Sequence, residues 1–128
     1  MYWSWGEAGS TGADRAREPL SAARLAELRA AGTPVFVNVT AAWCLTCLVN
    51  ERVALRSGAV AEAFARRGVV TLKADWTTRD PAITQVLGAF GRSGVPLYLL
   101  YPAGGAGEPT VLPQILSEGV VVEATEKI

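Results

Sequence analysis

Cys44 and Cys47 are the residues of this chain best suited to chemistry. They are its only thiols, set two residues apart in the run Ala41-Ala42-Trp43-Cys44-Leu45-Thr46-Cys47. That run follows the apolar stretch Val35 to Val39, where a strand is expected to hand over to a helix. Such a junction puts the first sulfur at a helix N-terminus and the second one turn later on the same face. A free cysteine titrates near about 8.5 and reacts as its thiolate; the positive helix end and its unpaired N–H groups lower this to roughly 3.5–7.5 in comparable pairs. Cys44 is therefore the expected nucleophile. Cys47, close enough to form a disulfide with it, is the expected buried resolving thiol. The plain alternative is an inert pair or a static disulfide, which would lock little chain entropy across so short a loop.

Three further positions frame that pair. Glu51 lies seven residues after Cys44 and four after Cys47, so the three share a helix face. A carboxylate beneath the sulfurs would raise the cost of the Cys44 thiolate and relay the Cys47 proton, whereas an ordinary glutamate would simply be solvated. Val95-Pro96 follows Gly94 and opens a strand; proline has no ladder donor, so it is expected at a sheet edge, after a cis bond. Backbone left free there would pair with an extended peptide. Trp43 and Trp76 read first as framework aromatics. Trp43, next to Cys44, joins Val95 and Pro96 as the expected substrate-binding set.

The elements that must hold these residues follow from periodicity and punctuation. Ser21 caps a helix to Ala31, with Leu25 and Leu28 inward and Gly32 as the stop. Pro34 opens a strand from Val35 to Thr40, apolar enough to be buried on both faces. A helix over 44–56, a shorter one over 59–67 and a strand over 69–75, parallel to the first, come next. Asp80-Pro81 starts a helix whose Ile83, Val86, Leu87 and Phe90 form one stripe, ended by Gly91. A strand over 96–101, a glycine-rich turn over 103–109, a strand over 110–114 and a helix from Ser117 to Glu126 complete the order. The expected architecture is α/β, a central four-stranded mixed sheet flanked by helices. Residues 1–18 read as a tail or linker and 19–128 as the domain. Tyr2, Trp3 and Trp5 in that tail suit either a packed strap or an aromatic belt beside a membrane span.

Bulk composition excludes several classes. Of the 128 residues half are apolar and 19% charged, with twelve basic residues against twelve acidic, so no cationic stripe points to nucleic acid. No apolar run is long enough to span a membrane. Without histidine, and with two cysteines, zinc sites are out of reach and no cofactor is expected beyond the dithiol itself.

With these residues assembled, the chain resembles a thioredoxin-fold protein. Trp-Cys-x-x-Cys after a buried strand, Lys73 late in the next strand and Val-Pro opening the third match in order. Within that superfamily Val37 to Cys44, Val49 to Leu55, Asp75-Trp76-Thr77 and Gly91 to Tyr98 most resemble one group. It is the C-terminal domain of the bacterial transmembrane thiol:disulfide interchange proteins, the DsbD-like reductases, including their copper-tolerance relatives. The similarity covers about residues 19–126. It implies a periplasmic domain of an inner-membrane protein, taking electrons from a membrane-embedded dithiol and passing them to periplasmic thiol-disulfide proteins or to other domains of the parent protein; the chain itself is expected to be a monomer. It also implies Cys44 as nucleophile, Cys47 as resolving thiol, Pro96 as the cis-proline and Glu51 as the group that tunes the thiol. Two positions depart from the pattern. Asn38 stands where a buried aspartate is usual, leaving Lys73 without its ionic partner, and Leu48 replaces the usual lysine after the second cysteine.

Two other functions compete with protein-disulfide reduction. Two thiolates suit Cu(I), a soft ion, so the same cysteines could form a Cu(I)-binding module. A docking domain with incidental cysteines is the other.

Overall fold

A computed structural model describes residues 17–128. Five strands and five helices follow in the order β1 (Arg17–Pro19), α1 (Ala22–Ala30), β2 (Val35–Thr40), α2 (Leu45–Asn50), α3 (Gly58–Arg67), β3 (Val70–Asp75), α4 (Pro81–Ala89), β4 (Leu97–Tyr101), β5 (Thr110–Val111) and α5 (Glu118–Glu126). The sheet order is β1-β3-β2-β4-β5; β2 runs parallel to β3, which runs parallel to β1, while β4 is antiparallel to β2 and β5. The fold class is the expected one, with a fifth strand at the β3 edge. Arg17 and Glu18, assigned to the tail, belong to that strand; the rest of the tail, with Tyr2, Trp3 and Trp5, lies outside the described residues.

Strand alternation divides the core into two layers. Val35, Val37 and Val39 of β2 pack with Leu28, Leu72, Leu87, Leu97 and Leu99 on the face covered by α1 and α4. Phe36 packs with Ala54, Val60, Tyr98, Leu100 and Val121 on the face covered by α3 and α5. All six β2 residues are buried, as expected of a central strand flanked on both sides. The stripe on α4 also falls inward: Leu87 is buried, and Ile83, Val86 and Phe90 pack against the first layer.

Two elements differ from expectation for identifiable reasons. β5 ends at Val111 instead of Gln114, because Pro113 offers no backbone donor to extend the ladder. The long helix expected over 44–56 is α-helical only to Asn50 and continues as a π-helical segment, Glu51–Leu55, closed by an Arg56 N–H to Glu51 C=O bond of 2.8 Å. Such wide turns are rare and concentrate near functional sites.

Candidate active site

The dithiol sits where β2 ends. The Cys44 N–H donates to the Ala41 carbonyl at 3.1 Å, turning the chain, and Cys44 becomes the N-cap of α2. Its Sγ accepts the Cys47 N–H at 3.1 Å, so the helix end directs one of its free donors at that sulfur. The two cysteines form a disulfide, with Cα atoms 5.2 Å apart. Cys44 is 7% exposed and Cys47 1%. Both cysteines are therefore buried, Cys47 the more completely.

Val95 packs against Ala41, Cys44 and Cys47 and precedes Pro96 through a cis peptide bond. Pro96 is buried, and its carbonyl accepts from the Arg92 guanidinium at 3.0 Å. It does not mark a sheet edge: β4 is flanked by β2 and β5. The missing donor is accommodated because Pro96 lies one residue outside the ladder, whose pairing with β2 begins at Leu97.

Trp43 is 49% exposed and fastened from one side. Its Nε1–H donates to the Thr77 carbonyl at 3.0 Å, and the Ala42 N–H donates to Thr77 Oγ1 at 2.8 Å. Thr77 in turn donates through both its N–H and its hydroxyl to Asp75, which holds that carboxyl below its ordinary value, with Lys73 adding to the effect. Trp76 lies buried beside Trp43, ring centroids 5.9 Å apart, and donates its Nε1–H to Thr84 at 2.9 Å. The loop after β3 therefore braces the cysteine loop. Trp76 is legible in the sequence as a framework aromatic, whereas Asp75 and Thr77 enter only through the resemblance, because alternation alone does not show that a threonine will meet another loop.

Glu51 sits at the first position of the π segment, its side chain 22% exposed and paired with Arg56 at 3.5 Å. Among the described residues no hydrogen bond joins it to either sulfur. Its charge is felt at Tyr98, whose phenol is pushed above its ordinary value chiefly by burial and further by Glu51, with the Asn50 hydrogen bond acting against both. Asn50, not anticipated, is 1% exposed and makes three bonds: Nδ2 donates to the Tyr98 hydroxyl at 2.9 Å and to the Gln114 carbonyl at 2.7 Å, and Oδ1 accepts the Leu116 N–H at 3.0 Å. An amide three residues after Cys47 and four before Ala54, on the inward side of the cysteine helix, is the signal the sequence offers.

Asn38 lies in register with Lys73 on β3 and Tyr98 on β4. It is buried, and its Oδ1 has no hydrogen-bond partner among the described residues, while Lys73 is exposed. The cysteine helix and its continuation carry exposed apolar residues, Leu45, Leu48, Val49 and Val53, and Ile115 is exposed as well. Among the described residues no group of three or more histidine, cysteine or acidic side chains could hold a metal ion, and nothing favours the Cu(I) alternative.

A Cys-x-x-Cys disulfide at a strand-to-helix junction, beside a cis-proline loop on this sheet order, defines a protein of the thioredoxin fold. The chain belongs to the thioredoxin-like family, whose model matches residues 17–103. Over 83 residues it is 35% identical to thiol:disulfide interchange protein DsbD 1 of Pseudomonas aeruginosa, a match covering 65% of this chain and 14% of that protein. The chain thus spans about a seventh of that relative. The oxidised C-terminal domain of Neisseria meningitidis DsbD superposes with a TM-score of 0.65 at 21% identity, covering 87% of this chain and 97% of that one. A thioredoxin from Thermus thermophilus gives 0.66 at 18% identity, covering 87% and 85%. These relatives, with the paired cysteines, make it a domain of the thiol–disulfide oxidoreductase type.

Proposed function

We propose that this domain reduces protein disulfides, relaying electrons from a membrane-embedded dithiol of a parent protein to thiol-disulfide partners in the periplasm. The observation that carries the reading is the asymmetry of the pair: Cys44 caps the helix and its sulfur receives a helix-end N–H, while Cys47 lies one turn in and is the more deeply buried of the two. The similarity to a thiol:disulfide interchange protein supports thiol–disulfide exchange as the chemistry.

In the reduced domain the Cys44 thiolate attacks one sulfur of the partner's disulfide. That bond breaks, the partner's other sulfur leaves as a thiolate, and a mixed disulfide forms. Cys47 then loses its proton and attacks Cys44 Sγ. The partner's second sulfur is released, the Cys44–Cys47 disulfide closes, and two electrons have passed to the partner. The membrane-embedded dithiol reverses the closure by the same chemistry. Trp43 and Val95 face the partner in this reading, and the buried Pro96 holds the Val95 backbone beside the cysteines. The test is Cys47→Ser, in which attack proceeds and resolution cannot. A Cys44-linked adduct with a disulfide protein or with glutathione should accumulate, seen by non-reducing electrophoresis and mass spectrometry. Absence of any adduct, together with tight Cu(I) binding by the unaltered domain, would replace exchange with the metal reading.

Glu51 has a tuning role in the same scheme: its negative charge on the cysteine helix opposes the thiolate and can take up the Cys47 proton. Glu51→Gln should move the pH profile of Cys44 alkylation downward by a fraction of a unit. An unchanged profile would return Glu51 to a surface pairing with Arg56.

A further inference from the structure

The loop that braces Trp43 carries a cation with no assigned task. The Arg79 guanidinium stands 4.9 Å from the centroid of Trp43 and 5.0 Å from that of Trp76, so one cation engages both indoles. Arg79 is exposed, and among the described residues its side chain makes no hydrogen bond or ion pair. Stacking leaves the five N–H donors of a guanidinium available. The nearby carboxylates are occupied elsewhere: Asp75 accepts from Thr77, and Asp80 caps α4 by accepting the Ala82 N–H at 2.8 Å. The other arginine of this end, Arg92, is bonded to the Pro96 carbonyl. Arg79 also has φ of 58°, the one non-glycine residue of positive φ among those described, a conformation better suited to glycine or asparagine. The backbone is held there by its N–H bond to the Trp76 carbonyl at 2.9 Å.

The surroundings say what this cation would meet. Trp43 is the residue before Cys44, and a Cβ on Gly94 would stand 3.8 Å from the Trp76 ring, so the segment leading to Val95 and Pro96 lies against the same indole. A chain laid beside Val95 with its disulfide at Cys44 therefore passes the Trp43–Arg79–Trp76 stack. We propose that Arg79 is a specificity-determining residue that favours protein disulfides flanked by an acidic side chain, its guanidinium receiving that carboxylate while Trp43 packs on the neighbouring residue. This rests on the exchange reading above. It adds a preference among partners and leaves the sulfur chemistry unchanged.

The test uses three disulfide peptides identical except for Glu, Gln or Lys beside the cysteine, reduced by the pre-reduced domain at low ionic strength. The unaltered domain should prefer Glu over Gln and Gln over Lys by about three- to fivefold per step, the span of a partly exposed ion pair, and lose the preference in high salt. Arg79→Asn keeps a residue suited to positive φ and should level the three rates; Arg79→Glu should reverse their order. The pH profile of Cys44 alkylation and the equilibrium with glutathione should stay unchanged in both variants. If Arg79→Asn slows all three peptides equally, or shifts the alkylation profile, the cation acts on the thiolate and the specificity role is overturned. Equal rates for the three peptides with the unaltered domain overturn that role alone. Reduction of none of them overturns the exchange reading, and the specificity role with it.

Discussion

Serine in place of Cys44 abolishes disulfide reduction, by at least about a thousandfold, because a serine hydroxyl does not ionise where a helix-end thiol does and cannot form a disulfide. Cys47 does not substitute for it: at 1% exposed it is the more deeply buried of the pair, packed with Ala41, Cys44 and Val95. The contrast with Cys47→Ser separates the two roles, since that variant keeps the first step and stalls at the second. Reduction of a fluorogenic peptide disulfide under single-turnover conditions gives the rate of each. Retention of a tenth of the activity by Cys44→Ser would mean that the sulfurs share the nucleophilic role, and the asymmetry on which the mechanism stands would be lost.

Asn50→Ala should be the most destabilising single substitution near the site. It removes three hydrogen bonds from a residue 1% exposed and leaves the Tyr98 hydroxyl, the Gln114 carbonyl and the Leu116 N–H unpaired. Unpaired buried groups cost about 1–3 kcal/mol each, and partial relaxation brings the sum to about 3–5 kcal/mol. Urea unfolding of the oxidised domain measures it. The same change removes the Asn50 hydrogen bond that holds the Tyr98 phenol down, so its titration should move further above the ordinary value. Sign follows from linkage. A phenol whose folded value is raised contributes stability below its unfolded value, near 10, that is lost as pH rises through the folded one. A loss below about 1 kcal/mol would show that loop 114–116 closes on α2 without Asn50.

How far the chain could be read in advance depended on what each residue's role rests on. The dithiol, its helix and the buried strand before it were legible because cap, spacing and apolar run are local signals. β1 was not: Arg17-Glu18-Pro19 shows no alternation, and what makes it a strand is backbone pairing to Thr71, Leu72 and Lys73. The π segment was equally hidden, since its residues fit a regular helix. Arg79 and Asn50 acquire their roles only across the fold, one between two indoles from different loops, the other between a helix, a strand and a distant turn. Asn38 was recognised as a departure; its uncoupled Oδ1 needed coordinates, and so did the exposure of Lys73.

The wide turn at Glu51–Leu55 has a consequence for the outside of the molecule. In a regular helix residues four apart drift steadily around the axis, so Leu45, Val49 and Val53 would spiral away from one another. Residues of a π turn advance by fewer degrees each, which brings Val53 more nearly above Val49. The oily ridge therefore runs straighter along the helix than its sequence spacing suggests, and removing one residue from 51–55 would swing its far end sideways while leaving the cysteines where they are.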